Sequence, residues 1–96
     1  MMSITSMDIY FEVANKDILV DLLLEEGYDD FYFFPSKRYS AGAFLISAEE
    51  QVSARRDFGL FRLFLHETEA IVLSAAIKRE LKDKTIKIFM TGVKEL

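Results

Sequence analysis

The residues able to bind or react fall into three groups. Arg55 and Arg56 follow Glu49, Glu50 and Gln51. Their planar guanidinium forks suit a carboxylate or phosphate, so the pair can clamp an anion or meet Glu49 and Glu50 of a neighbouring subunit. The plain alternative is positive charge at the end of a short helix, turned to water. The second group is the strip Lys78–Lys87, where Lys78, Arg79, Lys82, Lys84 and Lys87 outnumber Glu80 and Asp83. On a chain of net charge −4 this local excess attracts a phosphate-bearing ligand. It also complements a helix dipole and keeps the surface soluble. The third is His66, the only histidine, with Glu67 and Glu69 beside it. Imidazole and carboxylate suit zinc or copper if copies converge across an assembly. A lone histidine between strand and helix is more ordinarily a cap or a surface residue. The ligand-binding candidates are therefore Arg55, Arg56, Lys84 and Lys87, with His66 for a metal. No Ser/His/Asp order, Walker loop or nucleophile elbow is present. No catalytic residue is assigned, and a non-enzymatic protein is expected.

Bulk properties narrow the class. Ninety-six residues make one domain, and 51% hydrophobic content is enough for a core. Nine Phe and four Tyr hint at more apolar surface than one small core needs. Acidic balance argues against nucleic acid as a partner. The absence of cysteine removes disulfides, thiolate metal sites and a thiol nucleophile, and fits a cytoplasmic protein. The first residues show no basic n-region followed by an apolar core, so no signal peptide is visible. No apolar run approaches the ~20 residues of a membrane span, so no membrane insertion is expected.

The elements that must position these residues follow from periodicity. Met7, Ile9, Phe11 and Val13 alternate with polar or small neighbours, as in a half-buried strand. Asn15 suits an N-cap. Over Lys16–Glu26 the period lengthens, with Ile18, Leu19, Leu22 and Leu23 on one helical face, and Gly27 stops the helix. Phe31–Phe34 is a strand that Pro35 ends or marks as an edge. Ser47 and Glu50 form a capping box, predicting a helical turn or two over Ala48–Ala54 with Arg55 and Arg56 at its end. Phe58–Leu65 is the next strand, with Gly59 a possible bulge. His66 to Leu81 is a helix burying Ala70, Leu73, Ile77 and Leu81, with Val72 and Ala76 beside them. Thr85–Met90 is the last strand.

This order, βαβ, long loop, βαβ, predicts an α+β fold: a ferredoxin-like βαββαβ chain with a four-stranded antiparallel sheet and both helices on one face. The loop over about 36–57 is too long for a hairpin connection, and loops of that length on compact domains usually carry function. Its residues Lys37, Arg38, Tyr39, Glu49, Glu50 and Gln51 are the partner-binding candidates. With the helices on one side, Phe33, Phe61, Leu63, Ile86 and Ile88 serve the core. Tyr10, Tyr32, Phe34, Leu60, Phe64 and Phe89 then face away, and such an apolar patch predicts a homo-oligomer that packs sheet faces together.

The segment Leu45-Ile46-Ser47-Ala48-Glu49-Glu50-Gln51-Val52-Ser53-Ala54-Arg55-Arg56 resembles the "L-s-x-x-E-Q-V-x-G-R" stretch of a family of short PII-like bacterial proteins of unknown function, often found beside heavy-metal efflux genes. Asp17-Ile18-Leu19-Val20-Asp21-Leu22-Leu23-Leu24 resembles that family's "L-v-D-x-L-L" pattern. Ala54 stands where the pattern has Gly. The wider resemblance is to the PII / CutA superfamily, PII being the nitrogen regulatory protein. It implies a homotrimer with ligand sites in the clefts between subunits, and signal transduction through the long loop to a partner such as a membrane transporter. The alternative it implies is a CutA-like metal-binding protein linked to heavy-metal tolerance. The turn Leu81-Lys82-Asp83-Lys84-Thr85-Ile86-Lys87 lacks the G-x-G-K of PII, whose glycines let backbone amides approach phosphates, so the PII nucleotide site is not carried over and the cofactor stays unassigned.

Overall fold

A computed structural model of the chain describes residues 3–39 and 56–96. Strand β1 spans Ile4–Glu12, helix α1 Lys16–Glu25, β2 Tyr32–Arg38, β3 Arg56–His66, helix α2 Glu67–Glu80 and β4 Ile86–Gly92. The sheet order is β2-β3-β1-β4, with every neighbouring pair antiparallel. Each helix therefore connects two parallel strands with a third strand between them, which is the split βαβ arrangement expected.

The core lies between the helices and one sheet face. Met7, Ile9, Phe11, Phe61, Leu63 and Leu65 from the sheet meet Leu19, Leu22 and Leu23 of α1 and Ala70, Leu73 and Ile77 of α2. Phe11 stacks on Phe61 at 4.7 Å between ring centres. Gly27 ends α1 as predicted, at φ +92°. The Gly27 N–H donates to the Leu24 carbonyl at 3.0 Å and the Tyr28 N–H to Leu23 at 2.9 Å. This Schellman pattern needs a residue at ease in the left-handed region. Tyr28 packs on the core just beyond it. Burial is the main cause of its raised phenol pKa, with Glu69 and Glu26 adding to it.

Several expectations move. Val13 leaves the strand for a 3-10 turn over Val13–Asn15 and is partly exposed. The side chain of Asn15 makes no cap bond; the turn itself satisfies the helix entrance, with the Lys16 N–H donating to the Val13 carbonyl. Ile18 is exposed, because it sits about 90° round the helix from the centre of the Leu19–Leu22–Leu23 stripe. Val72 is 68% exposed, whereas Ala76 is buried. Gly59 is no bulge, since the pairing register runs through it on both sides without interruption. A Cβ there would lie 2.6 Å from a Phe33 ring carbon and 2.8 Å from one of Phe11, so the glycine makes room for rings.

The paired strands also run further toward the loop than the expected 36–57 allowed. β2 continues through Pro35 to Arg38, and β3 begins at Arg56, leaving 39–55 as the connection. Pro35 is tolerated because β2 is an edge strand, paired on one side only. Arg56 thus opens a strand rather than ending a helix. Arg55, the Ala48–Ala54 helix, the Ser47 capping box, Glu49, Glu50 and Gln51 lie outside the described residues.

Candidate functional site

Strand alternation sends every second side chain to the sheet face away from the helices. The register aligns them in rows: Tyr32, Arg62, Asp8 and Phe89 form one, and Phe34, Leu60, Tyr10 and Lys87 the next. The rings predicted to face outward do so. Tyr32 is 57% exposed, Phe34 43%, Phe64 55% and Phe89 57%. Tyr10 meets Phe89 edge-on at 5.9 Å, and Tyr32 meets Phe64 likewise at 6.3 Å. Leu60 differs, being buried between its cross-strand neighbours Tyr10 and Phe34.

At the sheet end where β2 leaves and β3 returns, this face dips into a depression of about 370 Å³ lined by Tyr10, Ser36, Lys37, Arg38, Tyr39, Phe58, Lys87 and Phe89. Candidates far apart in sequence meet there: Lys37, Arg38 and Tyr39 from β2 and its end, and Lys87 from β4. The Arg38 guanidinium lies 5.3 Å from the Phe58 ring centre. Arg56, the cross-strand partner of Arg38, opens β3 beside it and is not part of the depression's lining. Lys37 forms an ion pair with Asp57. The arrangement is a small aromatic floor with cations at its edge, suited to a planar or anionic ligand.

Other candidates stand elsewhere. Lys84 lies in the turn before β4, its N–H donating to the Leu81 carbonyl at 2.9 Å, outside the depression's lining. His66 sits at the far end of β3 from Arg56, about 30 Å along the strand. It is the N-cap of α2, and its N–H donates to Glu69 Oε1 at 3.2 Å. No three metal-ligating side chains converge among the described residues.

One pair escaped the sequence reading. Arg62 grips Asp8 with both arms, Nε to Oδ1 at 2.8 Å and Nη2 to Oδ2 at 3.0 Å. These hydrogen bonds hold the Asp8 carboxyl below its usual pKa, overcoming the opposing effect of burial. A signal existed: Arg62 is the one charge in the run Phe58–Leu65, and alternation puts it on the open face beside β1.

Solved structures share the fold. A DUF3240 family protein from Shewanella baltica superposes with a TM-score of 0.76 at 16% identity, over 100% of this chain and 96% of its own. CPII from Thiomonas intermedia, a nitrogen regulatory PII-like protein bound to ADP, AMP and bicarbonate, gives 0.72 at 12% identity, over 95% and 90%. The Bacillus subtilis GlnK–ATP complex gives 0.71 at 16%, over 96% and 84%. The chain has a PII-like fold. No protein-family model and no curated protein matches its sequence. Within this fold, none of the helices among the described residues is long and apolar enough to cross a membrane.

Proposed function

We propose that this PII-like chain is a non-enzymatic regulatory protein of the cytoplasm. It acts as a homotrimer with the sheets turned inward, and signals by protein–protein contact through the connection between β2 and β3. A small anionic ligand, bound against Arg38 and Lys87, gates that contact, and a membrane transporter is one kind of partner. The supporting observation is the open aromatic face with its depression at the base of the connection. Four rings of ~200 Å² each, roughly half exposed, leave about 400 Å² of apolar surface. That is about half of what a standard interface buries per partner. At ~25 cal/mol per Å², covering it is worth up to about 10 kcal/mol per subunit before the costs of association. The nucleotides and bicarbonate held by CPII and the ATP held by GlnK make the same compounds the first to test here.

The decisive measurement is a thermal-shift series with ATP, ADP, AMP and bicarbonate. A ligand at 100 times its Kd stabilises the native state by ~2.7 kcal/mol and raises the melting point. No shift with any of them removes the gating role. Light scattering should give three times the chain mass, and a monomer would remove the trimer. Deleting residues 40–55 should abolish partner capture; unchanged capture would remove the role of the connection.

A further inference from the structure

The centre of the open sheet face is polar. Asp8 and Arg62 are cross-strand partners on β1 and β3, the two central strands. The carboxylate takes two of the guanidinium's N–H groups, at 2.8 and 3.0 Å, and the Ser6 hydroxyl donates to Oδ1 at 3.3 Å. The guanidinium also lies 5.3 Å from the Phe34 ring centre. A guanidinium carries five N–H donors. The other three of Arg62 meet no acceptor among the described residues, and its side chain is 37% exposed. Water satisfies them in a lone chain. In a dry contact each needs an oxygen, because a buried donor left unmade costs more than a made bond returns.

We propose that Arg62 is the specificity residue of sheet-face association between copies of this chain: Asp8 fixes its inner arm, and its outer donors admit only the alignment that brings a neighbour's oxygen to them. This rests on the self-association proposed above. A second copy is the fitting occupant because the pair neutralises its own charge and the surrounding rings supply about half the area a standard interface buries per partner. The same face carries acceptors for the outer donors in the hydroxyls of Tyr10 and Tyr32. Rings alone slide over one another, and a polar group that must be matched removes the other registers.

The test compares the wild-type chain with Arg62→Lys, Asp8→Leu/Arg62→Met and the swap Asp8→Arg/Arg62→Asp. Sedimentation velocity over a range of concentrations reads assembly, and circular-dichroism melting reads folding. The wild type should give one assembled species. The swap keeps the pair inside the chain but moves the outer donors one strand over, about 4.8 Å. At a concentration where both chains are dissociated it should melt like the wild type, and it should assemble about tenfold more weakly. The apolar double variant should fold and assemble into several species. Arg62→Lys, which keeps the charge without the fork, should weaken assembly. Wild-type assembly in all three variants overturns the role of Arg62. A wild-type chain that stays monomeric overturns the association itself, and the role with it.

Discussion

Gly59→Ala tests how the sheet is packed under the loop base. The added methyl would sit 2.6 Å from Phe33 Cε1, 2.8 Å from Phe11 Cζ and 3.1 Å from Phe11 Cε2. Phe11 cannot yield, because it is fully buried and stacked on Phe61. Phe33 is 37% exposed and can swing outward. Doing so weakens its ring contact with Phe61 at 5.6 Å and the Lys16 ammonium lying 4.2 Å from its ring centre. Overpacking of this kind costs about 1–3 kcal/mol. Replacing glycine in a strand returns about 0.5–1 kcal/mol of backbone entropy. The net expectation is a loss of about 1 kcal/mol, and with a urea m-value of ~1–3 kcal/mol/M the unfolding midpoint should fall by about 0.5 M. Urea titrations at two protein concentrations separate this from any change in assembly. Adding Phe33→Leu should recover part of the loss. A midpoint unchanged or raised in Gly59→Ala would refute the close approach.

Gly27→Ala meets no atom within 4 Å, so its cost is the backbone alone, about 1–2 kcal/mol at φ +92°, and Gly27→Asn should lose less. Asp8 has a depressed carboxyl pKa in the folded chain. Its contribution is therefore full above the unfolded value near ~3.9 and fades as pH falls through the lower folded value. The stability difference between wild type and Asp8→Asn should be constant from about pH 5 to 8 and shrink below about pH 4, read by urea titration. Arg38→Ala and Lys87→Ala should each weaken binding of the nucleotide or bicarbonate that shifts the melting point, by about tenfold, and the loss should be smaller at high salt. Lys84→Ala should leave it unchanged.

Much of the site was legible because strand alternation has a period of two. Once Met7, Ile9 and Phe11 were placed inward, Tyr10 had to face out, and the same step placed Tyr32, Phe34, Phe64 and Phe89. Boundaries were less legible. Pro35 and the polar residues after it read as loop, yet an edge strand tolerates proline, and being an edge is a property of strand order. Gly59 read as a bulge because the sequence does not show the rings of Phe11 and Phe33 converging above it. Ile18 and Val72 are apolar enough for the core, and only the docking angle of each helix put them outside. Asp8 and Arg62 lie 54 positions apart, and only strand order and register bring them together.

Periodicity, the glycine stop and the repeated βαβ order by themselves determined the fold class, the types of the main elements among the described residues, and which side of each strand faces the helices. These are local consequences of backbone geometry and of apolar side chains avoiding water. Only the tertiary structure decided which outward residues share a row, because register and strand order are set by long-range pairing. That pairing joined Arg62 to Asp8, gathered Arg38, Tyr39 and Lys87 around one depression, and left His66 at the opposite end of the sheet.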